Sequence, residues 1–432
     1  MAIKRSYSHE IAAGQHVLLK GWVWLIRDLG NIKFFLLRDR EGMIQITAKK
    51  GVAKPEIVNA IGKLTRQDCV EVEGKVVKST QAPGGLEVIP ERIEIVSKAA
   101  VPLPIELTDK IATGIEKRFD YRFLDMRNPK IQAIFRIRDK ALAFMREWFE
   151  DNDFVEVQTP VIQAAGAEGG ATIFPIIYYE KEAFLRQSPQ LYKQILMAST
   201  LDKVYEIGPA FRAELFHTRR HVSEFLSVDA EIAWIESEED VLSVIEQMIV
   251  HTLKGIKKAC KVELGMFERK LNIPELPFKR FTYDDVIGML QKAGEKIEWG
   301  DDLSDPQEKM LGEMLAKKGT EWYFIKRYPA KLKPFYIMME GKYSRGFDLD
   351  YRGMELASGG QREHRYEKLV AVMKEKGLNP ESFTFYLEAF RFGMPPHGGF
   401  GLGADRFVQQ IIGLENIKEA ILFPRTPEKL VP

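Results

Sequence analysis

Apolar and polar residues alternate in short runs between residues 17 and 97, which is the pattern of half-buried β-strands. Five such runs cover Val17–Trp24, Lys33–Arg38, Met43–Thr47, Cys69–Val77 and Leu86–Val96. Turn-forming residues separate them, including Asp-Leu-Gly-Asn at 28–31 and Ala-Pro-Gly-Gly at 82–85. Between residues 54 and 64 the apolar spacing is helical instead. This part of the chain therefore predicts five strands with one helix between the third and the fourth.

Five strands with a helix after the third are the arrangement of an OB-fold barrel, whose strand face binds oligonucleotides. Phe34 lies near the cations Arg27, Lys33 and Arg38 in the predicted sheet. An aromatic ring beside cations suits base stacking together with phosphate neutralisation. The pattern fits a core aromatic at this position equally well, so both interpretations of Phe34 stay open.

The rest of the chain changes from strand to helix spacing. Residues 104–130 carry many charges without a clear apolar face, and we expect a hinge or linker there. Apolar residues recur at helical spacing from Lys130 to Asp151, which predicts a long amphipathic helix. The strand expected at 154–160 ends in Pro160, which cannot donate a ladder hydrogen bond and suits a sheet edge or a subunit contact. Residues 240–330 are mainly helical in pattern.

A charged loop joins two strands predicted at 203–209 and 224–234. Arg212 and Glu214 precede the loop, which carries Arg219, Arg220 and His221. Cations on such a loop are able to clamp a polyphosphate, since guanidinium groups bind phosphate oxygens in pairs. Phe225, directly after the loop, is suited to stack on a base. The competing interpretation is a solvated, charged hairpin tip.

Three glycines alternate with larger residues in the stretch Gly399–Arg406, which reads G-F-G-L-G-A-D-R. Alternate glycines suit a strand that another backbone or a ligand approaches closely. The apolar residues that follow have helical spacing, so Arg406 is expected in the first turn of a helix. Backbone donors and the helix dipole at that turn favour an anion. A packing contact beside a surface arginine would give the same pattern.

The strands expected at 335–339, 346–351 and 354–360 bring two oxygen-bearing side chains together. Glu355 and Ser358 are three residues apart near a strand end. Carboxylate and hydroxyl oxygens are ligands that a hard cation such as Mg²⁺ prefers. A pair of this kind alone is common and identifies nothing.

Composition describes an ordinary globular protein. The chain has 432 residues, 45% of them hydrophobic and 29% charged, with a net charge of +1. Residues 1–104 hold 16 Lys and Arg against 11 Asp and Glu, a balance of +5, so the remainder carries −4. A basic small module fits contact with nucleic acid. The two cysteines, Cys69 and Cys260, form no disulfide framework. No signal core or membrane-length apolar run occurs, so we expect a cytoplasmic protein without a membrane partner.

Taken together, these stretches resemble a class II aminoacyl-tRNA synthetase. The stretch that ends at Pro160 resembles motif 1, Phe211–Glu231 resembles motif 2, and Gly399–Arg406 resembles motif 3. The N-terminal barrel narrows the resemblance to the aspartyl, asparaginyl and lysyl subgroup (IIb), and the resemblance covers essentially the whole chain. It implies an α+β protein whose OB-fold β-barrel precedes a catalytic domain built on an antiparallel sheet flanked by helices. The expected parts are an anticodon-binding domain at 1–103, a hinge at 104–130 and a catalytic domain at 131–432. A small helical insertion is expected within the catalytic domain, at about 240–330.

Within the subgroup, the stretch Gln187–Lys193 resembles the aspartyl enzymes of archaeal type. The resemblance implies that Lys193 and Arg362 neutralise the side-chain carboxylate of aspartate, and a cationic pair favours a carboxylate over its neutral amide. Asparaginyl enzymes lack this lysine, and lysyl enzymes need acids there. The stretch Ala167–Thr172 resembles archaeal asparaginyl enzymes instead. An asparaginyl-tRNA synthetase and a non-catalytic tRNA-binding paralogue are the alternatives.

The resemblance also implies ligand roles for particular residues. ATP, as a substrate, would be bound by Arg212, Glu214, Arg220, His221, Val222, Phe225, Glu355, Gly403, Asp405 and Arg406. Arg212 and Arg406 would be catalytic, and Glu355 and Ser358 would hold Mg²⁺. L-Aspartate would be bound by Glu168, Ser188, Gln190, Lys193, Arg212, Asp229, Ser358 and Arg362, with Glu168 closing a lid.

In the barrel, Arg27, Phe34 and Gln45 match positions where the family contacts the anticodon. Pro83 occupies a position where relaxed members carry proline and accept tRNA(Asn) as well as tRNA(Asp), whereas Trp24 occurs in strict archaeal members. We expect an aspartate–tRNA ligase that charges tRNA(Asp), with a lean towards relaxed use of tRNA(Asn). The motif 1 helix and strand imply a homodimer.

Overall fold

Two units make up the chain, Met1–Pro104 and Ile105–Pro432. They are taken from a computed structural model, which describes residues 4–108, 113–164, 172–214 and 219–432. Each unit has its own hydrophobic core. None of the described helices is long and apolar enough to cross a membrane.

The first unit is a closed barrel with strand order β1-β2-β3-β5-β4. Its strands are β1 (His16–Asp28), β2 (Ile32–Arg38), β3 (Met43–Lys49), β4 (Cys69–Lys78) and β5 (Leu86–Ser97), with helix α1 (Pro55–Gly62) between β3 and β4 and a 3₁₀ turn at Pro83–Gly85. Alternate residues of β1, such as Val17, Leu19 and Val23, are buried in the core. The period-2 pattern therefore forms the barrel as expected, and the OB-fold prediction is confirmed.

The second unit contains eleven α-helices and thirteen strands among its described residues. The helices are α2 (Ile115–Asp120), α3 (Arg122–Asp125), α4 (Pro129–Asp151), α5 (Gln190–Leu196), α6 (Glu238–Ala259), α7 (Lys261–Gly265), α8 (Tyr283–Lys292), α9 (Asp305–Ala316), α10 (Tyr366–Glu375), α11 (Thr384–Arg391) and α12 (Ala404–Ile412). Short 3₁₀ helices span Ala330–Leu332, Pro380–Phe383 and Ile417–Ala420. The strands are β6 (Val155–Glu156), β7 (Ile162–Gln163), β8 (Phe174–Tyr178), β9 (Lys181–Leu185), β10 (Lys203–Phe211), β11 (Glu224–Ala233), β12 (Lys279–Thr282), β13 (Trp322–Lys326), β14 (Met339–Glu340), β15 (Tyr343–Ser344), β16 (Gly346–Tyr351), β17 (Glu355–Gln361) and β18 (His397–Gly403).

An eight-stranded sheet is the centre of the second unit, with strand order β12-β13-β16-β17-β18-β11-β10-β6. Its inner neighbours are antiparallel, and only the outermost pairs, β12 with β13 and β10 with β6, are parallel. Apolar residues of the long helices α4 and α6, such as Phe149 and Ile245, share one core with Phe400 of β18. The expectation of an antiparallel sheet flanked by helices is confirmed.

Several boundaries differ from the sequence predictions. The expected linker at 104–130 lies within the second unit from Ile105 on. Its Arg122 is fully buried and donates to backbone oxygens of Glu419, Ile421 and Leu422, so this segment is anchored rather than free. The apolar residues Phe119 and Leu124 are buried here too, but they are too few to give the charged stretch a recognisable apolar face.

Strand content also differs from expectation. The region about 240–330, expected to be helical, contributes β12 and β13 to the main sheet. Residues 335–338, expected as a strand, form a turn with a single bridge from Ile337 to Arg362. The strand expected at 154–160 is only Val155–Glu156. These short segments carry too few alternating positions for a reliable period-2 signal.

Candidate active site

A cavity of about 310 Å³ opens over the middle of the eight-stranded sheet. Fifteen of the residues expected to bind ATP, aspartate or metal line it: Ser188, Gln190, Arg212, Glu214, Arg220, His221, Val222, Phe225, Asp229, Glu355, Ser358, Arg362, Gly403, Asp405 and Arg406. They come from segments that are far apart in the chain, and the sheet order brings them together because β17, β18 and β11 are neighbours. Glu168 lies outside the described residues.

The glycine stretch forms the floor of this cavity. β18 ends at Gly403 and α12 begins at Ala404, so Arg406 lies in the first helical turn as predicted. A Cβ added to Gly399 would lie 2.1 Å from the backbone oxygen of Ala230, and one added to Gly401 would lie 3.1 Å from Oδ1 of Asp229. Only glycine therefore lets β11 and its acidic side chains lie this close to β18.

Asp405, expected at the ATP site, lines the cavity but is bound by the protein. Its Oδ1 accepts from Nε of Arg138 at 3.0 Å, and its Oδ2 accepts from the backbone N–H of Leu226 at 2.8 Å. Burial raises the pKa of Asp405, although Arg138 opposes this. The carboxyl group thus ties α12 to α4 and β11, which positions Arg406 next to it.

At one end of the cavity, two cations and two acids are buried together. Lys193 is 2% exposed, and its Nζ donates to Oδ1 of Asp229 at 2.9 Å and to the backbone oxygen of Phe400 at 2.8 Å. It also lies 3.6 Å from Oε2 of Glu231. Lys193 is not among the described residues that line the cavity. Asp229, the carboxylate that Lys193 holds, does line the cavity.

Arg362 is the cation that faces the cavity at this end. Its Nε and Nη2 donate to the two carboxylate oxygens of Glu231 at 2.8 Å and 3.2 Å, and Nη2 also lies 3.3 Å from Oε1 of Gln190. Burial disfavours the Glu231 carboxylate, but Arg362 and Lys193 outweigh it and lower its pKa. Glu231 is therefore charged and occupies one edge of the guanidinium. We call the group Lys193, Asp229, Glu231 and Arg362 the buried charge cluster.

The cations at the other end are more exposed. The exposed fractions of the side chains are 42% for Arg212, 31% for His221, 25% for Arg406 and 17% for Arg220. The guanidinium of Arg212 lies 5.6 Å from the ring centre of Phe225. Burial, reinforced by the nearby Arg406, lowers the pKa of His221 against the opposing charge of Glu214. We call Arg212, Arg220, His221 and Arg406 the cationic rim.

Arg220 of the cationic rim is paired with helix α9. Its Nη1 donates to Oε2 of Glu308 at 2.8 Å and lies 3.1 Å from Oδ1 of Asp305. Burial and the charge of Glu355 raise the pKa of Glu308 to about 8, although Arg220 opposes the shift. An acid with such a pKa holds its partner cation less firmly at neutral pH.

The expected metal ligands, Glu355 and Ser358, lie on β17. Asp348 pairs with Ser358 across β16 and β17, and its two oxygens both accept from Nζ of Lys333 at 2.7 Å. Burial and the charge of Asp348 raise the pKa of Glu355. Within the described ranges, no group of three or more His, Cys, Asp or Glu side chains is arranged to hold a metal ion. The cavity wall therefore offers oxygens of the type that Mg²⁺ prefers, beside one lysine.

In the barrel, the residues expected at the anticodon occupy neighbouring strands. Arg27 of β1 pairs with Phe34 of β2, which is half-buried, whereas Phe35 is fully buried in the core. Gln45 of β3 is 8% exposed and donates to Glu87 at 3.0 Å. The ring of Trp24 lies 5.8 Å from the guanidinium of Arg38, and Pro83 begins the 3₁₀ turn before β5.

Sequence reasoning missed several residues of the site. It assigned no role to Glu231, Gln194, His397, Asp348, Lys333 or Glu308. One of them had a signal in the sequence, because Asp229 and Glu231 alternate on β11 and must face the same side of the sheet. Gln194 also had one, because it follows Gln190 by four residues on α5 and so lies on the same face of that helix. The remaining four had none, since their partners lie on other segments.

Comparisons with known proteins agree with this geometry. Residues 114–427 match the family of tRNA synthetases class II (D, K and N), and residues 17–96 match the OB-fold nucleic acid binding domain. The chain is 49% identical to the aspartate–tRNA(Asp) ligase of Pyrococcus furiosus and 46% identical to the aspartate–tRNA(Asp/Asn) ligase of Methanopyrus kandleri, over 100% of each pair of chains. The crystal structure of asparaginyl-tRNA synthetase from Pyrococcus horikoshii with asparaginyl-adenylate matches with a TM-score of 0.94 and 35% identity, again over 100% of both chains.

Proposed function

We propose that this chain, which belongs to the class II tRNA synthetases (D, K and N), is an aspartate–tRNA ligase. It activates L-aspartate with ATP to aspartyl-adenylate and then transfers the aspartyl group to the 3′ end of tRNA(Asp). The relatives named as aspartate–tRNA ligases match over the full length of the chain and support this activity.

The presentation of Arg362 to the cavity is the single observation that carries the choice of aspartate. Glu231 takes Nε and Nη2 of this guanidinium, which leaves Nη1 as the nitrogen best placed for a second carboxylate. Arg362 is 2% exposed, so a carboxylate that reaches it is removed from water and held by a strong, charge-assisted bond. A substrate side chain that ends in a carboxylate fits this position.

The alternative amino acids fit less well. A lysine side chain would bring its ammonium group to the guanidinium of Arg362, and the two positive charges would repel each other. An asparagine amide has no charge to offer the guanidinium. The asparaginyl enzyme remains the alternative because of the structural likeness to the Pyrococcus horikoshii protein. The relatives that share more sequence with this chain are named for aspartate.

The cationic rim is suited to the triphosphate of ATP. Arg212 contacts the α-phosphate and the substrate α-carboxylate, Arg220, His221 and Arg406 bind the outer phosphates, and Phe225 stacks on the adenine. An oxygen of the aspartate α-carboxylate attacks the α-phosphorus in line and forms a bond to it. The bond from that phosphorus to the oxygen that bridges the α- and β-phosphates breaks, and pyrophosphate leaves with the electron pair. This reaction needs no protein nucleophile, because positioning and charge stabilisation suffice. Ser188, Gln190 and Asp229 bind the substrate ammonium. We also assign Glu168 to the binding of aspartate.

Glu355 and Ser358 fit Mg²⁺ as ligands. Their oxygens are hard donors. Partial burial and the charge of Asp348 raise the pKa of Glu355, and a divalent cation would favour its charged form instead. When bound, the ion supplies further positive charge for the phosphate oxygens.

The first unit supplies the tRNA contact. Arg27, Phe34 and Gln45 bind the anticodon, with Phe34 half-buried rather than in the core. Trp24 and Pro83 govern whether tRNA(Asn) is accepted, and we propose the relaxed form. α4 and β6 form the contact between the subunits of a homodimer.

Charging of defined tRNAs tests the proposal. Purified protein with ATP and Mg²⁺ is offered labelled aspartate, asparagine or lysine with tRNA(Asp) or tRNA(Asn). Aspartate on both tRNAs is the expected result, and aspartate on tRNA(Asp) alone refutes the relaxed form. Asparagine without aspartate would replace the proposal by the asparaginyl alternative, and no charging would favour the non-catalytic paralogue.

A further inference from the structure

A chain of buried hydrogen bonds runs from Pro395, just before β18, to Arg362. Nδ1 of His397 lies 2.9 Å from the backbone oxygen of Pro395, and its Nε2 lies 3.1 Å from Nε2 of Gln194. Oε1 of Gln194 lies 2.9 Å from Nε2 of Gln190, and Oε1 of Gln190 lies 3.3 Å from Nη2 of Arg362. The two ends of the chain are a fixed acceptor and a fixed donor.

The partners assign the direction of every bond in this chain. A carbonyl oxygen only accepts, so Nδ1 of His397 carries the proton and Nε2 carries the lone pair. Nε2 must then accept from the amide nitrogen of Gln194, which turns the Gln194 oxygen towards Gln190. The Gln190 nitrogen donates to that oxygen, so its own oxygen points to Arg362. Each amide has one orientation that satisfies all its neighbours.

Burial holds the chain in this state. Gln194 and His397 are 0% exposed, and Gln190 is 5% exposed. Burial lowers the pKa of His397 to about 4, although Glu231 opposes the shift, so the ring is neutral at physiological pH. Tyr386 donates a second bond to Oε1 of Gln194 at 3.3 Å, which agrees with the same orientation.

We propose that Gln194 and His397 are positioning residues that fix the Gln190 carbonyl oxygen as an acceptor beside Arg362. This inference rests on the proposed function, in which Gln190 binds the aspartate ammonium. Gln194 and His397 do not belong to the described lining of the cavity, whereas Gln190 and Arg362 do. Their side chains therefore reach a substrate through Gln190, whereas the backbone oxygen of His397 accepts from the N–H of Arg362 at 2.8 Å, a contact that a side-chain substitution keeps.

A reversed Gln190 amide would be unfavourable for two reasons. Its NH₂ group would face the guanidinium of Arg362, so two donors would oppose each other. The same NH₂ group would meet the substrate ammonium, which can only donate. The hydrogen-bond chain prevents this reversal, because the reversed amide would also present its oxygen to the Gln194 oxygen.

Two substitutions break the chain, and one keeps it. Gln194→Met removes the acceptor of Gln190 at similar volume, and His397→Phe removes the acceptor that orients Gln194. Tyr386→Phe is the matched control, since it removes a buried hydrogen bond to the same Gln194 oxygen but leaves the orientation of both amides intact. All three side chains are equally buried, at 0% exposure.

ATP–pyrophosphate exchange with aspartate, on the full-length protein, measures the effect. The KM for aspartate should rise about tenfold in Gln194→Met and His397→Phe, the cost expected of one disordered polar contact, and stay within about twofold in Tyr386→Phe. The KM for ATP should stay within about twofold in all three. An unchanged KM for aspartate, or a parallel rise of both KM values as from general loosening, would overturn the proposal.

A measurement on the unmodified protein covers the case of variants that fail to fold. Nitrogen-15 NMR of histidine-labelled protein reports which ring nitrogen of His397 carries the proton. The proposal requires the Nδ1–H form, and an Nε2–H form reverses the chain and refutes it. Failure of the proposed function is distinguishable, because the unmodified protein would then not activate aspartate at all.

Discussion

The two ends of the cavity hold their cations in opposite ways. In the buried charge cluster, the side chains of Lys193 and Arg362 are 3% and 2% exposed, and acids of the protein already pair with both. In the cationic rim, the exposed fraction of the side chain reaches 42% at Arg212. Nη1 of Arg406 donates to the backbone oxygen of Glu355 at 2.8 Å. One end is assembled before any ligand arrives, whereas the other presents exposed charge.

This difference follows from what each end has to do under the proposed function. Choosing one small amino acid requires side chains that cannot rearrange, and a fully paired buried cluster provides this because each member is costly to displace. A triphosphate carries its own large charge, so solvated cations suffice to attract it and to release pyrophosphate. Substitutions at the first end should therefore damage the fold, and substitutions at the second should damage only the reaction.

The largest effect is expected from Lys193→Met. Glu231 would keep Arg362, but Asp229 would keep only the hydroxyl group of Ser227 and lose its cation. Breaking a buried ion pair costs about 3–5 kcal/mol. Chemical denaturation should show a loss of this size in the free energy of unfolding. Lys418→Met is the matched control, since Lys418 pairs with Glu116 at 3.2 Å on the surface and should cost less than about 1 kcal/mol. Equal, small losses in both variants would contradict the contrast.

Arg406→Ala should separate activity from stability. Removing a cation that stabilises developing charge slows such reactions by about 10²–10³-fold. The rate of ATP–pyrophosphate exchange should fall by this factor, while the free energy of unfolding changes by less than about 1 kcal/mol. Arg391→Ala, at an exposed arginine paired with Glu388 on α11, should leave the rate unchanged. A loss of stability as large as that of Lys193→Met would remove the distinction between the two ends.

Glu308 gives the cationic rim a pH dependence between about pH 4.5 and 8, whereas the lowered pKa of Glu231 in the buried charge cluster acts at more acidic pH. Burial and Glu355 raise its pKa to about 8 in the folded protein, above the ordinary value of 4.5. The folded state thus holds a proton that the unfolded state has lost, so this contribution is complete below about pH 4.5 and disappears as the pH rises through 8. Unfolding measured between pH 5 and 8 should show the unmodified protein losing stability relative to Glu308→Gln.

A matched substitution sharpens this pH test. Glu415 pairs with Arg219 at 3.8 Å and is 85% exposed, so Glu415→Gln should leave the pH dependence of the unmodified protein intact. A Glu308→Gln protein with the same slope as the unmodified one would show that Glu308 keeps an ordinary pKa and holds Arg220 firmly.

The smallest expected effect is that of salt. Exposed charges are screened within about 8 Å at physiological ionic strength, and buried pairs much less. Raising the salt concentration from about 50 mM to about 300 mM should increase the KM for ATP by about two- to threefold and leave the KM for aspartate nearly unchanged. A larger increase for aspartate would mean that the cluster is open to solvent.

Local patterns predicted the elements that carry the site, whereas pairing across the fold was beyond them. The alternate glycines before Arg406 placed a strand and a helical turn correctly, because glycine spacing and helix starts are local signals. Lys193 was recognised by resemblance, but its contact with Asp229 depends on how α5 lies against β11. Gln194 and His397 are 203 residues apart, so neither local sequence predicts the contact between their side chains.

Activation of aspartate and asparagine by the unmodified protein, without tRNA, tests the central claim most directly. If the buried charge cluster selects a carboxylate through Arg362, kcat/KM for aspartate should exceed that for asparagine by about 10²-fold or more, since the neutral amide cannot form the charge-assisted bond to Nη1 of Arg362. Equal values, or a preference for asparagine, would contradict the account of this end of the cavity.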